Sequence, residues 1–399
     1  MFYINLLEKI VFFVFFLILA RELDKTHYGL IVTVFAFTGI LNSFFDLGFG
    51  FYFQREAGTE DLLQKLESAI SFRLLLMAIF IIIMFMYLYS NLSIDPVIIG
   101  IIGLLTYLNG FNIILNSVLY GKKKYKKSFI GFLLSRIIFA LLIIIFYLMK
   151  AQHYLILVAL LISVIFHLGI LYKYLLEEKL HLKLRFNYTG LKKILYSSVP
   201  IGMGLIFVLI YDRLDVLIIE RFINFEAVAV YSIAYSLYKV PTIISSVILT
   251  PVYTDLSKSY SLNNKIEPHE IFLVFLILLI ISVAAIMFVN IFGETIILFF
   301  YSRKYFFSIP YLKYLVFALP GLFFNNLTGV ISNSIRMEKI PMISNGLGAL
   351  IHVTINVILI RIYGLWGAVA ATIISEYFVF IFQSILLIRH NFKYKFFTN

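Results

Sequence analysis

Residues 211–222 read YDRLDVLIIERF and place Asp212, Arg213 and Asp215 within four positions of an otherwise apolar run. On a helix Asp212 and Asp215 share a face, being three apart, while Arg213 points about 100° away toward another neighbour. Carboxylates so placed in lipid do one of two things. They fasten two helices in register as a satisfied ion pair, or they form a protonatable or cation-binding site that answers to an ion gradient. Asp46 in FFDLGFG and Glu376 in ISEYF are further candidates for the second role, with Glu376 nearer the middle of its segment.

The cations raise the same question. Lys9, Arg73, Arg136, Arg213, Lys239 and Lys313 all fall inside apolar segments. A charge at mid-bilayer costs about 2.5 to 3.5 kcal/mol, so six facing lipid would cost roughly 18 kcal/mol, more than the 5 to 15 kcal/mol that holds a typical domain together. Most must therefore face protein or water. Arg73 and Lys313 lie near segment ends and have the reach to snorkel to headgroups. Arg136 and Lys239, the latter just ahead of Pro241, lie too deep for that and are the foremost candidates for lining a polar cavity.

The elements that must position these groups are membrane spans. The chain has 62% hydrophobic and 14% charged residues, far from the balance of soluble domains, and its mean hydropathy is +0.99. A span needs about 20 mostly apolar residues. Twelve are expected, at 3–20, 29–53, 69–90, 96–120, 128–149, 154–173, 194–219, 226–253, 269–291, 309–335, 341–361 and 365–388. The first is not a cleaved leader, because Glu8 and Lys9 interrupt it and no small-residue cleavage site follows. The longest internal linker, 174–193, divides the chain into an N-terminal half, 1–173, and a C-terminal half, 194–399, of six spans each. With both termini inside, twenty lysines and arginines fall on the cytoplasmic side against seven outside. That asymmetry predicts cytoplasmic termini.

Several chemistries are excluded. There is no cysteine for a disulfide, a thiolate or a thiolate-bound zinc. His167 and His352 have no second histidine at helical spacing and read as hydrogen-bonded helix contacts rather than metal ligands, so no metal or other cofactor is expected. No Walker, G-x-G-x-x-G or G-x-S-x-G motif appears. The net charge of +12 sits in membrane loops, which argues against nucleic acid as a partner. NLS at 91–93 matches a glycosylation acceptor by a common tripeptide in a short loop, and reads as chance. No loop exceeds about 20 residues, so any chemistry takes place within the helix bundle. Pro200, Pro241, Pro251 and Pro320 break or bend spans, as static kinks or as hinges of a moving helix.

LARELDKTHYGL, DLGFGFYFQREAG, YDRLDVLIIERFINFEAVAVYSIAYSLYKVP and NVILIRIYGLWGAVAATIISE together resemble the polysaccharide exporter family. These are the O-antigen type lipid-linked oligosaccharide flippases of the multidrug/oligosaccharidyl-lipid/polysaccharide (MOP) superfamily. The most specific piece is Asn356 followed by Gly364, Gly367, Ala368, Ala371 and Thr372. The resemblance implies an all-α polytopic, MATE-like fold, two six-helix lobes around a central cationic cavity, in the cytoplasmic membrane. It implies a polyprenyl-pyrophosphate oligosaccharide as substrate, proton or sodium coupling, and other polysaccharide assembly proteins as partners. On that reading Arg136 and Lys239, supported by Arg73, Arg213 and Lys313, attract the pyrophosphate, and Asp212, Asp215, Glu376 and Asp46 are the coupling candidates. A drug or cation exporter of the same superfamily is the nearest alternative and should favour acids over bases. A membrane glycosyltransferase or polymerase would need an external carboxylate cluster and a sizeable loop.

Overall fold

The computed structural model describes residues 2–90, 95–149, 154–263 and 268–394, with the side chains of residues 2–6 and of a few helix-end residues outside that description. The tripeptide at 91–93 and most of the link after the fifth expected span lie outside it too. Among the described residues the chain is helical, with two short 3-10 turns and no strand. The helices are α1 (Phe2–Glu22), α2 (Lys25–Asp46), α3 (Phe49–Glu56), α4 (Leu62–Ser90), α5 (Pro96–Gly121), α6 (Tyr125–Leu148) and α7 (Leu155–Glu177). They continue as α8 (Tyr188–Phe222), α9 (Phe225–Lys239), α10 (Thr242–Asn263), α11 (Pro268–Tyr301), α12 (Ser308–Leu315), α13 (Leu319–Ser334), α14 (Lys339–Tyr363) and α15 (Leu365–Tyr394).

Ten described helical stretches are long and apolar enough to cross a membrane, or eleven if the bent pair 190–200 and 202–222 is one span. The expected twelve differs from this count because α1 is not in it. The chain is thus a multi-pass membrane protein. Exposed apolar side chains such as Ile82, Phe85 and Met86 on α4, and Ile280, Met287 and Ile291 on α11, meet lipid rather than water.

Three of the expected spans are broken, and each break has a local cause. The second divides at Leu47 and Gly48, where Gly48 adopts a φ of +76°. A side chain there would also run into the backbone of Ser198 and Gly202 on α8. The eighth divides after Lys239, where Pro241 removes a backbone donor and α10 restarts at Thr242. The tenth passes through a 3-10 turn at Val316–Ala318 before Pro320 opens α13.

Two compact units emerge: Met1–Asp24 with Leu30–Leu209, and Lys25–Gly29 with Ile210–Asn399. In the first, Phe49 and Phe53 of α3 pack with Leu66 of α4, Ile114 and Leu119 of α5 and Leu171 of α7. In the second, α14 and α15 form a tight hairpin. Gly364 turns it with a φ of +59°, and Gly367 lies too close to the backbone of Leu359 and Ile360 to admit a side chain.

Candidate functional site

In the second unit, a polar seam runs through the middle of α8, α9, α14 and α15. Asp215 of α8 is 1% exposed. Its Oδ1 accepts from His352 Nε2 at 2.6 Å and from Asn356 Nδ2 at 2.9 Å, and its Oδ2 accepts from the Tyr231 hydroxyl at 2.7 Å. Tyr211 lies over the His352 ring at 4.6 Å.

The Ser375 hydroxyl donates to Ala371 O at 2.6 Å and lies 2.9 Å from His352 Nδ1. His352 Nε2 lies 2.6 Å from Asp215 Oδ1 and 2.9 Å from Asn356 Nδ2, so the ring is held between a hydroxyl on one side and a carboxylate and an amide on the other.

Nearer the end of α9, Lys239 donates to Asp212 Oδ1 at 2.9 Å, and the Tyr235 hydroxyl reaches the same oxygen at 3.2 Å. Lys239 Nζ also lies 4.0 Å from Glu376 Oε1. Glu376 is 2% exposed and accepts from Asn325 of α13 at 3.5 Å. Asn325 in turn accepts from Gln383 at 3.0 Å. Asp212 and Glu376 are thus joined through the partly exposed Lys239, while Asp215 and His352 form a second, fully buried cluster in the same unit. Arg213, on the other side of α8, is exposed, and Lys313 on α12 is half-buried.

The first unit holds the remaining candidates. Arg73 of α4 is fully buried and does not reach outward to headgroups. Its Nη2 donates to Asn42 Oδ1 at 2.5 Å and to Tyr107 O at 3.4 Å, and its Nη1 to Phe45 O at 3.3 Å and Asp46 Oδ1 at 3.5 Å. The Tyr107 hydroxyl returns a bond to the Arg73 carbonyl. Gly110 makes this possible, because a Cβ there would occupy the place of the guanidinium. Arg136 of α6 is 8% exposed, with Phe132 at 4.8 Å and Phe12 at 5.8 Å from its guanidinium carbon.

The structure thus sets Asp215 against His352, Asn356 and Tyr231, none of which was among the expected site residues. Asn356 stood in the motif that carried the resemblance. His352 is the hydrogen-bonded helix contact that the sequence suggests, but nothing there signals that its partner is Asp215, because the two lie 137 residues apart. Among the described residues no group of three or more histidine, aspartate or glutamate side chains is placed to hold a metal ion.

The polysaccharide biosynthesis protein family model matches residues 1–257, and the MatE model matches residues 200–358. No curated protein matches. Among solved structures, the lipid II flippase MurJ in an inward closed conformation is similar at a TM-score of 0.75, with 15% identity over 99% of this chain and 87% of that one. An inward-facing multidrug resistance MATE family transporter of the MOP superfamily gives 0.69, with 16% identity over 92% and 90%. A MOP superfamily transporter from Pyrococcus furiosus gives 0.63, with 16% identity over 96% and 91%. With its first 257 residues matched, the chain belongs to the polysaccharide biosynthesis protein family, and its fold is that of the MOP superfamily transporters.

Proposed function

We propose that this chain is a flippase rather than an enzyme. It carries polyprenyl-pyrophosphate-linked oligosaccharide units across the cytoplasmic membrane by alternating access, for the assembly of a surface polysaccharide such as O-antigen. Both termini lie in the cytoplasm, and the halves 1–173 and 194–399 act as the two lobes. The observation that carries this reading is the match of the polysaccharide biosynthesis model to a chain that holds Arg136 buried and Lys239 partly buried among protein groups. A forked guanidinium suits phosphate oxygens, and an ammonium supplies a point charge. Arg213 and Lys313 add positive charge. The four hydrogen bonds of Arg73 are already engaged, so its part is to hold α2, α4 and α5 together around Asp46.

Coupling to an ion gradient is assigned to the seam of Asp212, Asp215 and Glu376. Donors already fill both oxygens of Asp215, which favours a proton over sodium, since a metal cation needs lone pairs and not N–H groups.

Deleting the gene should leave lipid-linked repeat units on the cytoplasmic leaflet. Restoring it with Arg136→Ala or Lys239→Ala should leave the protein in the membrane but stop glycan export. Normal surface polysaccharide in the deletion strain sinks the proposal. A second reading, drug or cation export, draws on the acid-rich seam and the MatE match. Drug resistance on overexpression would favour it.

A further inference from the structure

The two arginines of the first unit solve the problem of burial differently. Arg73 spends both terminal nitrogens on three oxygens of α2 and one of α5 and leaves only its Nε without a partner. Arg136 is almost as deeply buried, yet its Nε and Nη1 are sealed from solvent and have no hydrogen-bond partner. On the neighbouring α7, His167 is 4% exposed and its Nε2 is equally without a partner. The two side chains share Phe132, which lies 4.8 Å from the guanidinium carbon and meets the imidazole at 6.2 Å in an edge-on arrangement. The Arg136 charge is felt at His167. Glu8 of α1, one turn before Phe12, is the acid whose charge bears on Arg136. Among the described residues no hydrogen bond or ion pair joins Glu8 to Arg136.

An unmet donor on a buried charge carries its desolvation cost uncompensated. A cation–π contact offsets only part of that cost and leaves the N–H directions unfilled. Three unfilled nitrogen positions on two adjacent helices, with an acid held nearby, match an acceptor that is anionic and carries several oxygens. A phosphate or diphosphate group has that chemistry.

We infer that Arg136, His167 and Glu8 form an exchange site for a phosphate oxyanion. In the empty state Glu8 is the counter-charge of Arg136. When the ligand enters, its oxygens accept from Arg136 Nε and Nη1 and from His167 Nε2–H, and the carboxylate gives up its electrostatic role. The identification of the ligand as the diphosphate of a lipid-linked sugar rests on the flippase reading, whereas the existence of the site does not.

The test uses the full chain in detergent or nanodiscs with farnesyl diphosphate as probe and farnesol as the phosphate-free control. Arg136→Gln should weaken diphosphate binding at least about tenfold, the value of one charged hydrogen bond. Arg136→Lys, which keeps the charge and loses the fork, should fall between that variant and the parent. His167→Phe should weaken binding by a smaller factor. Glu8→Gln should tighten it, because the competing charge is gone, and this variant leaves the arginine untouched. Farnesol should bind all of them alike. If Glu8→Gln leaves affinity unchanged or lowers it, the exchange is overturned. If neither arginine variant shifts diphosphate affinity, the site is overturned and the unfilled nitrogens are only hydrated. Should binding follow the expected pattern while cells carrying Arg136→Gln export glycan normally, the flippase reading fails and the oxyanion site stands. Should export require Arg136 while Glu8→Gln and His167→Phe leave binding unaltered, this inference fails and the flippase reading stands.

Discussion

Single residues in this protein are governed by the cost of burying charge, and their partners decide what they do. Asp215 Oδ1 and His352 Nε2 lie 2.6 Å apart inside a nearly closed site. Removing one member leaves an unpaired buried group, at a cost of about 3 to 5 kcal/mol. Asp215→Asn and His352→Gln should each lower thermal stability sharply, and the double variant should regain much of the loss without regaining gradient-driven transport. A double-mutant cycle in chemical denaturation, read beside a vesicle transport assay, separates the two effects. Additive losses would show that the pair is not coupled. The Arg73 cluster behaves as a fastening. Gly110→Ala should expel the guanidinium from its carbonyl partners and destabilise the protein by about 2 to 4 kcal/mol, with a parallel loss from Arg73→Met that does not add to it. The charged positions were legible as anomalies in an apolar pattern. Their state was not: Arg73, near a segment end and within reach of headgroups by sequence, is fully buried among α2 and α5, whereas Arg136 keeps two nitrogens unfilled.

At the scale of elements, the hydropathy pattern located the helices, and the breaks within them came from local chemistry. Pro241 announces the end of α9, because a proline cannot donate and restricts the residue before it. The break at Gly48 was hidden inside an apolar stretch. Its reason is tertiary, since the left-handed turn lets α8 approach at Ser198 and Gly202. Gly48→Ala should therefore cost about 1 to 3 kcal/mol in unfolding experiments, where Gly39→Ala, with open space around it, should cost nothing measurable. The run GKKKYKK at 121–127 supplies five of the lysines counted on the cytoplasmic side. In the structure Lys122, Lys124 and Lys127 lie 4.0, 3.3 and 2.8 Å from Glu178, at the end of α7. The hydrogen bond from Lys127 holds the Glu178 carboxyl below its ordinary range. A depressed carboxyl contributes stability that is present above its unfolded value near 4.5 and is lost as pH falls through the lowered one. Glu178→Gln should remove that part of the acid-limb pH dependence, at a cost of no more than about 1 kcal/mol at neutral pH.

For the whole molecule, the family match and the fold shared with MOP superfamily transporters set the frame, and the proposed flippase moves its cargo by a change of conformation. If the proton of the Asp215 and His352 pair couples that change, collapsing a pH gradient across reconstituted vesicles should stop movement of a fluorescent lipid-linked sugar, and replacing sodium with potassium should not. Sodium dependence with indifference to pH would remove the proton from the scheme. The amino-acid sequence by itself determined that the chain lives in a membrane, roughly where its helices run, which charges lie too deep to be incidental and which family it resembles. These are sums over about twenty neighbouring residues, and lipid reads them as such. Tertiary structure alone decided that Asp215 would face His352 across 137 residues, that both terminal nitrogens of Arg73 would find oxygens and that Arg136 would keep Nε and Nη1 unfilled. A helix turns by about 100° per residue, so the partner of a buried charge is set by how helices far apart in the chain pack, which no local pattern encodes.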